Sequence, residues 1–293
     1  MYCGPKNILV NKMKFFLKIN LLKENSLSVV KQVLEILDNS NHQYMLCCDD
    51  KLGDIVTTDR CAVSQTEGIK WCDVIITVGG DGTLLNVGEM ASDFNKPIFG
   101  INTGHLGFLT AIERNELDLL KEIENSDVFT VKRHHFIQVK VNDRDWKYCL
   151  NDFVVSKNIY SNTVQLILQS NGSQIMQFSG DGVIIATSTG STAYSLSVGG
   201  PIVDSDLEAM IISPVAPHSL NRTSMVLGKD KHITISASDR SDNKAYIAFD
   251  GADHVELNSE DEVTVRLSDK FVSIYTLGKF GQFEKVDKKL KSR

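Results

Sequence analysis

No apolar run in this 293-residue chain approaches the ~18 residues that a membrane-crossing helix needs. Residues 7–22 are apolar only in patches, because Lys12, Lys14 and Lys18 interrupt them, so the continuous core of a signal peptide is missing as well. No C-x-x-C pair occurs. The six cysteines are Cys3, Cys47, Cys48, Cys61, Cys72 and Cys149, a spacing that suits neither a zinc site nor a disulfide framework. Reduced thiols in a cytoplasmic protein are the expectation. Positive charge is not in excess either: the formal net charge of −6 argues against a nucleic-acid partner held by phosphate neutralisation. It leaves room for a single nucleotide held by backbone amides and a metal ion. The sequence contains no Pro- or Ser-rich spacer, no internal repeat and no low-complexity tract. No cluster of His, Cys, Asp and Glu has metal-ligand spacing, so no residue is assigned to a protein-bound metal.

What is present is an ordinary globular composition, 42% hydrophobic and 23% charged, long enough for one large or two ordinary domains. The first third alternates. Strand patterns at 14–20, 44–48, 73–78 and 97–101 are interleaved with helical ones at 26–37, after residue 83 and at 113–124. In the first helix Leu27, Val30, Val33, Leu34 and Leu37 are expected on one face. In the last, Leu117, Leu120 and Ile123 are. Alternation of this kind predicts a parallel sheet wrapped by helices. Residues 1–12 fit no element, and Met13 opens the first strand pattern, so Met13 is read as an alternative start.

The character changes near Phe129. Strands without long helices follow at 136–141, 146–156, 163–169, 173–178, 181–187, 210–213, 232–236, 244–249, 262–267 and 271–275, with a short helix at 191–198. Asn171-Gly172 between two alternating runs is a hairpin signal. This half reads as two packed β-sheets. The expected organisation is an α/β domain over 1–128 and 277–293, and an all-β domain over 129–276.

Four motifs carry chemistry. Gly79-Gly80-Asp81-Gly82-Thr83 follows an apolar strand and opens a helix, an arrangement whose bare N–H groups favour phosphate. It is neither a Walker loop, since no Gly-Lys-Ser/Thr closes it, nor a dinucleotide fingerprint, since Leu85 stands where the third glycine belongs. A carboxylate in a phosphate turn is repulsive unless it acts chemically, so Asp81 is the candidate reactive group. The alternative is a tight turn with Asp81 as N-cap. The second motif, Asn102-Thr103-Gly104-His105-Leu106-Gly107-Phe108-Leu109, lets backbone approach a ligand, or is a loop plugged by Leu106 and Phe108. In the third, Leu150-Asn151-Asp152, an amide beside a carboxylate can read two hydroxyls or an adenine edge; a strand-start turn accounts for it equally. The fourth runs from Ser179 to Ser197. A strand ends in consecutive hydroxyls, Thr192 can cap the helix that follows, and Tyr194 offers a ring for stacking. Minor candidates are His218 and Asp250; His134 and His135 read as structural.

Together these motifs resemble the NAD kinase family, of bacterial type. The likeness extends over about residues 70–280 and includes Gly180 to Pro201, Asp206 to Leu220 and Phe249-Asp250-Gly251. The first turn alone is shared with diacylglycerol and sphingosine kinases and, more loosely, phosphofructokinases. The resemblance implies a three-layer α/β domain, Rossmann-like and phosphofructokinase-like, followed by a β-sandwich, with the chain's end returning to the first domain. It implies phosphoryl transfer from ATP or another donor, with Mg²⁺ or another divalent cation, to the adenosine-ribose 2′-hydroxyl of NAD. By that analogy Asp81 is the general base, and Gly80, Gly82, Thr83 and Asn102 lie at the phosphates. Asn151, Asp152, Asp181, Thr192, Ala193, Tyr194, Ser195, Leu196, Ser197 and Ala216 lie at NAD. The family's habit of assembly implies a homo-oligomer, dimer or tetramer. Three positions depart from the pattern: Asp152 replaces a usual glutamate, Ser188 a usual proline, and Ser179 a common basic residue. The readings set against this one are a lipid kinase, which the hydroxyl-rich segment disfavours, and a nucleotide-binding regulator without turnover, which Asp81 disfavours.

Overall fold

Two runs of strands with different neighbours account for the chain: a parallel set near the N-terminus and an antiparallel set after it. The structure is a computed structural model and describes residues 12–22, 25–48, 62–104, 107–158, 162–219, 222–237, 245–252, 254–278 and 282–291. Cys3, Cys61, His105, Leu106, Leu220, Lys244 and the segment before Met13 up to residue 11 lie outside the described residues. Two units are defined: Met1–Val131 with Ile274–Lys279, and Lys132–Ser273 with Phe280–Arg293.

In the first unit the chain runs β1 (Lys14–Ile19), α1 (Ser26–Asp38), β2 (Gln43–Cys47), β3 (Ala62–Val63), α2 (Gln65–Trp71), β4 (Val74–Gly79), α3 (Asp81–Asp93), β5 (Ile98–Asn102) and β6 (Ile112–Glu113). The parallel sheet has the order β3-β2-β1-β4-β5, and Ile274 pairs in parallel with Ile98 beyond β5. β4 is buried at every residue, as a strand covered on both faces must be. Strand order reverses between β1 and β4, and ligands of open α/β sheets bind outside the carboxyl ends of the strands at such a point. The Gly79–Thr83 turn leaves the carboxyl end of β4 there.

Two helical expectations are corrected. α1 buries Ser26, Val29, Val30, Val33, Leu34 and Leu37, while Leu27 is 49% exposed. At 100° per residue Leu27 falls off the stripe that Val30 and Val33 define. The expected helix at 113–124 is a 3-10 helix, Leu117–Glu122, and Glu113 belongs to β6. Leu117, Leu120 and Ile123 are all buried, and their strict spacing of three is the 3-10 period rather than the α period. α2 is a helix that the hydrophobic pattern does not announce, yet a local signal marks its start: Ser64 and Glu67 form a reciprocal capping box.

In the second unit the strands are β7 (Phe129–Val141, which starts in the first unit), β8 (Lys147–Cys149), β9 (Asp152–Lys157), β10 (Val164–Ser170), β11 (Ser173–Gly180), β12 (Gly182–Thr187), β13 (Ala209–Val215), β14 (Met225–Gly228), β15 (His232–Ala237), β16 (Ala245–Phe249), β17 (His254–Leu257) and β18 (Glu262–Leu277). One sheet has the order β14-β13-β12-β9-β16-β17; the other runs β11-β10-β15-β18 with β7 and β8 attached. Their inner faces share one core, in which Phe153, Val155, Val183, Ile185 and Ile212 meet Ile137, Leu166, Leu168, Ile233 and Val263. This is the expected β-sandwich. Asn171 and Gly172 turn the β10–β11 hairpin with φ of 49° and 80°, the positive values a tight two-residue turn requires.

The outer face of β12 is covered too. Ile184, Ala186 and Ile211 pack with Val203, and Val198 lies against them. The expected helix at 191–198 is there only as a 3-10 turn, Thr189–Thr192, and one α turn, α4 (Tyr194–Ser197). Thr192 does not cap it: its hydroxyl donates back to the Thr189 carbonyl at 3.3 Å. The strands expected at 262–267 and 271–275 are one continuous strand, β18. The strand expected at 146–156 is instead two, broken at Leu150-Asn151. A last helix, α5 (Gln282–Lys291), ends the described chain.

Candidate active site

Asp81 is the first residue of α3, with Gly80 at the N-cap. Its carboxylate does not cap its own helix. It accepts the Phe108 N–H at 2.9 Å and the Leu109 N–H at 3.1 Å, both from the loop that follows β5. Gly107 makes this possible: a Cβ there would stand 2.9 Å from the Asp81 carboxylate and 2.3 Å from the Thr110 hydroxyl. Each carboxylate oxygen therefore takes one amide and keeps a lone pair. The turn and the Asn102–Leu109 loop, separate motifs in the sequence, form one constellation with Asp81 as its junction.

The rest of the turn is fixed around that carboxylate. Thr103 donates its N–H at 2.7 Å and its hydroxyl at 3.0 Å to the Gly79 carbonyl, tying the end of β5 to the end of β4. Thr83 is buried, and its hydroxyl has no hydrogen-bond partner among the described residues; it occupies the space a Gly79 Cβ would need. At Gly82 an added Cβ would meet nothing within 4 Å. Internal packing therefore does not demand a glycine there, and open space lies beside that backbone. Asn102 is buried, and its amide donates to Glu113 at 2.6 Å while its oxygen accepts the Gly104 N–H at 3.3 Å. Glu113 also accepts the Gly107 N–H at 3.4 Å. Glu113 thus shapes this loop, a role hidden by its place in an expected helix.

In the second unit Asn151-Asp152 opens β9, and the residue that organises it is Asp250. Its carboxylate accepts the N–H groups of Leu150 at 2.8 Å, Asn151 at 2.8 Å and Asp152 at 3.0 Å, while its own N–H donates to the Asp152 carbonyl at 2.9 Å. Asp250 sits at φ 46°, a left-handed conformation that aspartate tolerates better than most residues. The hydroxyl-rich segment reaches the same place. Gly190 lies so close to Asn151 that a Cβ would stand 2.0 Å from the Asn151 carbonyl oxygen. The Thr187 N–H donates to that carbonyl at 2.8 Å, and the Thr187 hydroxyl to the Leu150 carbonyl at 2.6 Å.

Burial, and then the neighbouring Asp250 charge, push the Asp152 carboxyl from 3.8 up to about 7; only the Tyr194 backbone N–H pulls the other way. Burial raises Asp250 as well, against the pull of its three amides. Folding therefore binds a proton at Asp152 between pH ~4 and ~7. The stability this protonation contributes is complete below about pH 4 and is lost as pH rises through about 7. Asp152→Asn should then gain on the parent protein by a few kcal/mol, to order of magnitude, between pH 5 and pH 8. Urea unfolding at the two pH values reads this difference, and a difference that does not change with pH would contradict the assignment.

The hydroxyls of the 188–195 run are used inside the protein. Ser188 donates to the Leu207 carbonyl at 2.6 Å, Ser191 to the Val203 carbonyl at 3.2 Å, and the Ser195 and Ser213 hydroxyls bond at 2.9 Å. A segment folded against the outer face of β12 must satisfy its own polar atoms. What remains accessible is Tyr194, 46% exposed. Tyr194 lines a groove of about 200 Å³ with Asp181, Lys157 and Val215. Asp181 is ion-paired with Lys157 at 2.8 Å. Ala216, at φ 43°, follows β13 beside Gly180, whose Cβ would stand 3.0 Å from the Ala216 carbonyl. Ala193 and Leu196 are half-buried, and Ser197 is exposed. The His218 N–H holds the Ser179 carbonyl at 2.8 Å. His134 is buried against the Thr189 hydroxyl at 2.8 Å, and burial lowers its ring to about 4, so it is neutral at pH 7.

A glycine turn with a carboxylate at the switch point of a parallel sheet, in a chain that continues as a β-sandwich, suits an enzyme that handles nucleotide phosphates. Family models for the ATP-NAD kinase N-terminal domain and the ATP-NAD kinase C-terminal domain match residues 8–127 and 150–277. The chain is 31% identical over 279 residues to an NAD kinase of Thermoanaerobacter sp. (strain X514), covering 94% of this chain and 97% of that protein. It is 32% identical over 278 residues to one of Caldicellulosiruptor bescii, covering 93% and 97%. In fold it is similar to yeast NADH kinase complexed with NADH, with a TM-score of 0.83, 20% identity and coverage of 96% of this chain and 88% of that one. It is also similar to an NAD kinase from Archaeoglobus fulgidus in complex with ATP, with a TM-score of 0.71, 24% identity and coverage of 96% and 98%. The chain belongs to the NAD kinase family, enzymes that phosphorylate NAD to NADP.

Proposed function

We propose that Asp81 is the general base of this NAD kinase and that ATP is its donor. The observation that carries the reading is the pair of loop amides on the Asp81 carboxylate. They fix its orientation and leave one lone pair on each oxygen. The adenosine-ribose 2′-hydroxyl gives its proton to Asp81. Its oxygen forms a bond to the γ-phosphorus as the bond to the β,γ-bridging oxygen breaks, and ADP leaves. Phosphoryl transfer of this kind rests on positioning and charge stabilisation. The buried Thr83 hydroxyl, without a partner among the described residues, and the open space at Gly82 support phosphates beside this turn.

Asn151, Asp152, Asp181, Tyr194 and Ala216 bind NAD in this reading. The exposed Tyr194 ring supplies a stacking surface, and the 192–197 segment that carries it lies along the dinucleotide. Among the described residues no group of three or more His, Cys, Asp or Glu could hold a metal ion. A divalent cation would arrive with the triphosphate and offset charge on its phosphates. Cys47, Cys72 and Cys149 are buried, and the spacing of the six cysteines suits no disulfide framework, which supports a cytoplasmic setting. No described helix is long and apolar enough to cross a membrane. A homo-oligomer is proposed, and β14, an edge strand whose Val226 is 49% exposed, offers a surface for it.

The test is purified protein with NAD, a divalent cation and, in parallel, ATP, a second nucleoside triphosphate or polyphosphate. NADP is followed with an NADP-specific dehydrogenase. NADP formation fastest with ATP is expected; another donor ahead of ATP overturns that choice, and no NADP with any donor overturns the reading.

A further inference from the structure

We propose that Lys157 positions Asp181 for NAD and supplies the positive charge that Ser179 does not. This inference rests on the proposed placement of NAD against Asp181. Lys157 ends β9, the strand that Asp152 begins, so one strand carries two groups of the same pocket. It grips Asp181 twice: its backbone N–H donates to the Asp181 carbonyl at 2.9 Å, and its ammonium reaches the Asp181 carboxylate at 2.8 Å. Close approach of β9 to this point depends on Gly182, where a Cβ would stand 2.2 Å from the Val155 carbonyl oxygen. The Asp181 N–H is taken by the Val215 carbonyl at 2.9 Å, so the residue is held from both neighbouring strands.

The chemistry needs such a cation. Asp181 is 44% exposed at the groove that Tyr194 lines. An unpaired carboxylate there would repel the pyrophosphate of a dinucleotide and would sample several rotamers. Lys157 neutralises it and fixes its direction. The ammonium has three donors; one meets Asp181 and one the Asn162 carbonyl at 3.2 Å, which leaves one for the ligand. A pair this exposed contributes little to folding, so its effect is read in binding.

The experiment is steady-state kinetics on Asp181→Asn, Lys157→Met, Lys157→Arg and the Asp181→Asn/Lys157→Met double variant, with KM measured separately for NAD and ATP and Tm recorded. Lys157→Met should raise the KM for NAD about tenfold, the loss of one charge-assisted contact. Its kcat, its KM for ATP and its Tm should stay near those of the parent protein. Lys157→Arg should restore the KM for NAD, and the double variant should have a higher KM for NAD than Asp181→Asn alone, because the ammonium's own contact with the ligand is lost in addition. If Asp181→Asn leaves the KM for NAD unchanged, the placement of NAD fails and the inference with it. If Asp181→Asn raises that KM and Lys157→Met does not, the placement stands and the role of Lys157 is overturned. A Lys157→Met variant with lowered Tm and both KM values raised alike would make the residue structural and overturn it as well.

Discussion

Asp81→Asn is expected to lower kcat by ~10²–10⁴, the usual worth of a positioned general base. The substitution keeps size and shape, and one amide oxygen can still accept a loop N–H. It removes the charge and the basicity, and it puts an NH2 against a second loop N–H, at Phe108 or Leu109. NAD affinity should change little, because the groups proposed to hold the dinucleotide are Asn151, Asp152, Asp181 and Tyr194. The loss should therefore fall on kcat and not on the equilibrium Kd for NAD, which isothermal titration reads on the same sample. Near-parental turnover would remove Asp81 from the chemistry. A large rise in Kd with unchanged kcat would make it a binding group instead.

Asp250→Ala should give the largest loss of stability among single side-chain truncations near the NAD groups. Three amides, those of Leu150, Asn151 and Asp152, end on this one carboxylate. Each buried N–H left without a partner costs ~1–3 kcal/mol, and the costs are not additive where the loop can relax. Alanine at φ 46° adds backbone strain of ~1–2 kcal/mol. A net loss of ~3–5 kcal/mol by urea unfolding is the expected result. Asp250→Asn, which tolerates the left-handed backbone and keeps one acceptor, should lose about half as much or less. Removing the Asp250 charge should also move the Asp152 carboxyl back down, because that charge is the second cause of its rise. A loss below ~1 kcal/mol for the alanine variant would mean that Asp250 does not hold the Asn151-Asp152 turn.

Much of the fold is legible in the sequence because local pattern and tertiary role agree. β4 reads as a continuous apolar run because it is covered on both faces, and the glycine turn reads as a phosphate site because it opens a helix. The first-to-second-half change from alternating helices to strands marks a real change of architecture. What the sequence does not show has a common cause: distance along the chain. Asp81 meets Phe108 and Leu109 across 27 and 28 residues, and Asp250 meets Leu150 across 100. No periodicity encodes such contacts. The hydroxyl run is ambiguous for a related reason. Small polar residues suit a ligand, and they suit equally a segment that must satisfy its own backbone against a buried sheet face. Ser191 and Ser195, both fully buried, have partners within the protein. Lys157 draws no notice in the sequence because a lysine at a strand end is ordinary until Asp181 is placed beside it.

The position of the new phosphate tests the central claim most directly. The product made from NAD can be purified and its phosphorus–proton couplings read by NMR. A single phosphomonoester coupled to the 2′ proton of the adenosine ribose is the predicted result. Phosphate on the 3′ carbon, or on the nicotinamide ribose, would contradict the placement of the 2′-hydroxyl at Asp81 and the assignment of the NAD groups.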